Sequence, residues 1–108
     1  MNVYEVKFTS QAEEQLENIV HYITVDLNNS DAAENLVDEI IEETEKLSKN
    51  PEKHRCIDEE AWGKQGIRKI KVKNFYVYFW IDNDNSVVWV IGIVYGKRDQ
   101  KKYLDSLN

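Results

Sequence analysis

Cysteine is almost absent: Cys56 is the only one in 108 residues, so no disulfide framework can staple the chain. That absence points to a reducing, cytoplasmic compartment. No apolar run reaches membrane-spanning length, and Val87 to Val94 is long enough only for a buried strand. The opening residues, Met1 to Lys7, hold no apolar signal core. Four glycines form no phosphate-cradling loop. Two histidines and one cysteine make no recognisable ligand set, so neither a metal nor a cofactor is expected. Repeats, low-complexity stretches and interdomain linkers are missing too. The expectation is one domain, residues 1–108, long enough for a single core. Its 42% hydrophobic and 31% charged residues are ordinary for a globular protein, with no membrane and no small-molecule ligand expected.

Charge is unevenly spread. Residues 1–62 hold 5 Lys/Arg and 16 Asp/Glu, whereas residues 63–108 hold 9 and 4. The net charge of −6 therefore divides into −11 and +5. Bulk attraction will not bring nucleic acid to such a chain, so any contact with RNA must be local and salt-sensitive. The acidic side chains of the second helix (Glu39, Glu42, Glu43 and Glu45) read as a solvated face.

The hydrophobic pattern predicts the order β-α-α-β-β-β. Val3 to Phe8 alternates, with Tyr4, Val6 and Phe8 on one face. Ser10 to Glu13 fits a capping box opening a helix whose stripe is Ala12, Leu16, Ile19, Val20, Ile23 and Leu27. Asn28-Asn29-Ser30 breaks the chain, and Ser30 can cap a second helix. That helix carries Ala33, Leu36, Val37, Ile40, Ile41, Thr44 and Leu47, and Asn50-Pro51 ends it. Residues 52–66 read as a loop. Ile67–Lys73, Phe75–Asp82 and Val87–Tyr95 then form a meander, with a tight turn at Lys73-Asn74 and a hairpin at Asp82 to Ser86. Gln100 to Leu107 suggests a last short helix. The class is α+β: a helical hairpin packed on one face of a small twisted, mainly antiparallel sheet.

The meander holds the chemistry. Alternation puts Arg68, Ile70 and Val72 on one face of its first strand and Lys69, Lys71 and Lys73 on the other, about 7 Å apart. In the next strand Phe75, Val77, Phe79 and Ile81 oppose Tyr76, Tyr78 and Trp80. A lysine row beside aromatic rings fits single-stranded nucleic acid. It fits a docked protein equally well, because tyrosine, tryptophan and arginine dominate interface anchors. It also fits an edge strand guarded by lysines against aggregation. Lys97, Arg98, Lys101 and Lys102 add cations just beyond the third strand of the meander. Elsewhere, His21 reads as structural, Cys56 as a small buried residue and Trp62 as a core plug. His54 is a loop histidine placed to act as acid or base without a supporting motif.

Three stretches, "VKFTSQAEEQLENIVHYI", "GIRKIKVKNFYVYFWID" and "VVWVIGIVYGKRDQKKYL", resemble in order and spacing the RelE/ParE superfamily of bacterial type II toxins. The long helical hairpin is closer to the ParE-like members. The resemblance implies a toxin neutralised by a cognate antitoxin that wraps it. It implies one of two targets: messenger RNA cut on the ribosome, as RelE-like enzymes do, or DNA gyrase, which ParE-like members inhibit without chemistry of their own. A homologue that keeps only antitoxin binding is the third reading. On the ribonuclease reading, Lys69 and Lys71 stand where the family keeps two functional lysines, and Arg98 stands on its late arginine. These cations would stabilise a phosphorane formed by attack of a ribose 2′-OH. Tyr103 lies near the family's base-stacking tyrosine, one residue early. Arg68, Lys73, Tyr76 and Lys97 are the further contacts expected for RNA or a partner. Tyr76 falls where the family has its central arginine, replacing a permanent cation with a phenol.

Overall fold

The computed structural model describes residues 3–54, 56–57 and 63–96. Strand β1 (Glu5–Phe8) leads into helices α1 (Ser10–His21) and α2 (Ser30–Glu45). Strands β2 (Arg68–Val72), β3 (Phe75–Asp82) and β4 (Val87–Tyr95) follow. The sheet order is β1-β4-β3-β2, with the meander antiparallel and β1 parallel to β4. A parallel neighbour needs a long crossover, and the two helices supply it. The α+β class and the element order match the expectation. The expected last helix, and Trp62 with it, lie outside the described residues.

The helix caps sit one residue earlier than expected. Thr9, not Ser10, is extended (ψ 159°), and its hydroxyl accepts from the Ala12 amide at 3.1 Å. Asn29 does the same for Ala32, so Ser30 is the first residue of α2 rather than its cap. The end of α1 also departs from the expectation. It widens into a π-helical turn, Tyr22–Asp26, where the Leu27 amide donates to the Tyr22 carbonyl at 3.1 Å. The wider turn rotates the stripe, so Leu27 is exposed together with Tyr22 and Val25. On α2, Ile41 is likewise exposed rather than part of the buried stripe. That helix ends at Glu45 and tightens into a 3-10 turn, Lys46–Ser48, which buries Leu47. A left-handed Asn50 (φ 52°) then aims buried Pro51 into a second 3-10 turn, Pro51–Lys53.

One face of the sheet packs on the helices. Ala12, Leu36 and Ile40 meet Val72, Val77, Val90 and Ile93 there. Towards the other end Tyr4, Leu47, Phe79, Ile81 and Val88 continue the core. A bulge between Tyr78 and Phe79 shifts the register with β4, and Gln15 of α1 accepts from the Ile93 amide nearby at 2.9 Å. The opposite face has a smaller cluster of its own, in which Ile57 covers Ile67, Tyr78 and Val94. Residues 52–66 are therefore more than a polar loop: they bring Ile57 onto the sheet. Among the described residues no helix is long and apolar enough to cross a membrane.

Candidate interface on the outer face of the sheet

Strand β2 forms one edge of the sheet. Its register with β3 sets Lys69 opposite Tyr78 and Lys71 opposite Tyr76. Side chains alternate, so both lysines stand on the face turned away from the helices, as expected. The Lys69 ammonium reaches diagonally across the ladder to lie 4.4 Å from the Tyr76 ring centre. Lys71 is exposed and reaches the turn end of the strand. There it lines a cavity of about 210 Å³ with Asn74, Tyr76, Tyr95 and Gly96.

Gly96 shapes this cavity. A Cβ there would stand 3.1 Å from the Asn74 carbonyl oxygen and 3.2 Å from the Tyr76 ring. Its amide also donates to that carbonyl at 2.8 Å, which ties the end of β4 to the β2–β3 turn. Asn74, Tyr95 and Gly96 were not singled out from sequence. All three lie outside β2 and β3, and only the closed sheet brings them beside Lys71.

The lysine row does not continue to Lys73. That residue has a left-handed backbone (φ 53°) in the turn. Its ammonium points to α2 instead and pairs with Glu39 at 3.2 Å. Extending strand alternation through Lys73 put it on the wrong face, because a positive φ reverses the chain there. Arg68 is also bound structurally. Its Nη1 donates to the main-chain carbonyls of His54 and, at 3.3 Å, Glu52. Its buried Nε has no hydrogen-bond partner among the described residues. Cys56 bridges Arg68 through the backbone, so the guanidinium and the ladder together fasten the incoming loop to β2.

Of the aromatic row, Tyr78 is fully buried and Tyr76 half-buried, while Trp80 is 38% exposed. The face thus presents Tyr76 and Trp80 at its surface with Tyr78 as support beneath. Left-handed Gly66 (φ 88°) turns the chain into β2 directly against the Trp80 indole. His54 packs edge-on against Phe79, with ring centres 6.0 Å apart. Burial, then the charges of Lys53 and Arg68, hold its imidazole below the usual histidine range. Lys97, Arg98 and Tyr103 lie outside the described residues, which end at Gly96 on the rim of the cavity.

The family model for the ParE toxin of the type II toxin–antitoxin system parDE matches residues 6–100. Among solved structures, the chromosomal ParDE system of P. aeruginosa aligns over 86% of this chain and 96% of its own, with TM-score 0.67 and 19% identity. The archaeal RelE–RelB complex of Pyrococcus horikoshii OT3 aligns over 90% and 99%, with TM-score 0.55 and 16% identity. The isolated RelE toxin of E. coli aligns over 95% of each chain, with TM-score 0.53 and 16% identity. At these identities the structural likeness is one of fold. Comparison with curated proteins gives no significant match.

Proposed function

The chain belongs to the ParE toxin family of type II toxin–antitoxin systems, and from that premise we propose that it arrests growth by binding and inhibiting DNA gyrase, with no bond-breaking chemistry of its own. A cognate antitoxin holds it idle. The observation that carries this reading is the state of Tyr76. A phenol stands at the centre of the outer face, with the Lys69 ammonium 4.4 Å from its ring. A phosphorane there would need a permanent cation instead. Among the described residues the one guanidinium, that of Arg68, is occupied by main-chain carbonyls. Exposed rings flanked by lysines suit a protein surface, where tyrosine and tryptophan anchor and peripheral charges steer.

The competing reading is ribosome-dependent cleavage of messenger RNA by Lys69, Lys71 and Arg98. Two measurements separate them. Purified toxin is titrated into a gyrase supercoiling reaction, and cellular messages are mapped by primer extension minutes after induction without antitoxin. We expect supercoiling to stop and messages to stay intact. Unaffected gyrase, with new 5′ ends at codon-spaced positions, would establish cleavage and sink this proposal.

A further inference from the structure

Two of the three tryptophans share one row on the outer face. Trp80 of β3 stands opposite Trp89 of β4, and Trp89 stands beside Lys7 of β1. Trp80 is 38% exposed and Trp89 half-buried. Neither indole joins a core cluster among the described residues. Their row lies about 13 Å along β3 from Tyr76, beyond the Tyr78 patch that Ile57 covers.

Facing rings on neighbouring strands strengthen a sheet when they pack on each other. These two do not: among the described residues the paired rings are His54 with Phe79 and Phe75 with Tyr95. Each indole has its own surroundings instead. The Lys7 ammonium lies 5.8 Å from the Trp89 ring centre and 3.9 Å from the Glu5 carboxylate. Trp80 carries no such cation among the described residues. Gly66, lacking a side chain, leaves the five-membered edge of that indole uncrowded: even an added Cβ would stand 3.6 Å away.

The next row of the outer face is acidic. Alternation brings Asp82, two residues past Trp80, and Glu5, two before Lys7, to this face about 7 Å further on. Asn85 fixes the Asp82 carboxylate: its main-chain and side-chain amides donate to the two oxygens at 3.3 and 2.8 Å. Each oxygen keeps a lone pair for a second donor. We infer that this end of the outer face takes an arginine side chain of gyrase, stacked on Trp80 with its guanidinium turned to Asp82. An open indole attracts a cation, and a planar guanidinium can stack on it while also bonding a carboxylate. The inference rests on the gyrase reading and deepens it. Lys71 marks a basic end of the face and Asp82 an acidic end, about 20 Å apart along the strands, so the docked surface has one orientation.

Two measurements test it. The first titrates N-acetyl-arginine amide into isotope-labelled full-length toxin, with N-acetyl-lysine amide at equal ionic strength for comparison. We expect the Trp80 indole resonance, assigned by its absence in Trp80→Phe, to shift and saturate with the arginine probe. The lysine probe should bind at least about threefold more weakly. Asp82→Asn should weaken the arginine probe about threefold. The second measurement is gyrase supercoiling. Trp80→Leu should weaken inhibition at least about tenfold, as loss of an interface anchor does. Asp38→Asn, the same change of charge on the exposed side of α2, should alter it less than about twofold. Melting curves check that each variant is folded. A Trp80 resonance that stays still, or equal binding of the lysine probe, would overturn the arginine site. A bound probe with normal inhibition by Trp80→Leu would overturn its assignment to gyrase. Gyrase untouched by the unmodified toxin would sink the gyrase reading and that assignment together, while the probe still decides whether the site exists.

Discussion

On β3 the odd residues Phe75, Val77, Phe79 and Ile81 turn to the helices, and the even residues Tyr76, Tyr78 and Trp80 turn away. Alternation alone would make the two faces equals. Their surroundings make them different. The helix face is covered along its length by α1, α2 and the turn after α2, and it joins residues from nearly every element. The outer face is covered only in patches: Ile57 seals Tyr78, while Tyr76, Lys71 and Trp80 stay at least partly open. One face carries cooperative stability. The other keeps a small core that supports side chains available to a partner.

The largest expected effect tests that asymmetry directly. Phe79→Ala removes a fully buried ring on the helix face and should cost about 3–5 kcal/mol. In a domain this small, that lowers Tm by more than about 10 °C. Ile57→Ala, on the cover of the outer face, should fall at the low end for its type, about 2 kcal/mol, because a loop can close over the gap. Thermal melts of the two variants decide it. Equal losses would mean that the outer face is a second core of the same rank, and the division drawn here would fail.

Arg68 tests the boundary between the faces and should give an intermediate effect. Replacing it with alanine strands the carbonyls of Glu52 and His54 and releases the loop that carries Ile57. The expected cost is about 1–3 kcal/mol. Toxin that still folds at low temperature should inhibit supercoiling normally. An unchanged Tm together with lost toxicity would move Arg68 from support to contact, and would reopen the ribonuclease reading.

How far the sequence made these faces readable depended on the range of the interaction that decides each feature. β3 and β4 fall on the residues that alternation predicted, because each is a long apolar run closed by a turn. The caps slipped by one residue, since Thr9-Ser10 and Asn29-Ser30 each offer two adjacent capping side chains. Only backbone geometry chooses between them. The π-helical turn was hidden: a single wider turn leaves the upstream stripe of α1 intact and shows only in the exposure of Val25 and Leu27. Lys69 and Lys71 were placed on the correct face because β2 is regular there. Lys73 was not, because a positive φ at a lysine has no strong sequence signal. The alignment of Lys7, Trp89 and Trp80 in one row is a long-range product of the tertiary fold. No spacing within one segment reveals it.

Lys71→Ala should have the smallest effect on stability and the sharpest meaning. Lys71 is exposed, so its loss should change the unfolding free energy by less than about 0.5 kcal/mol. It nevertheless stands on the rim of the cavity beside Tyr76, where a docked surface would feel its charge. A peripheral charge acts mainly on association rate and on salt dependence. The variant should therefore inhibit gyrase more weakly at low salt and approach the unmodified toxin as salt rises and screening grows. A catalytic lysine behaves differently: its loss persists at every ionic strength, because the missing proton or transition-state charge is not restored by screening. Supercoiling and growth measured across a salt series, on a variant whose Tm has not moved, therefore reads the outer face without interference from the inner one. Loss of toxicity independent of salt would mean that the lysine row does chemistry, and the contrast between the faces would be one of core against active site rather than core against docking surface.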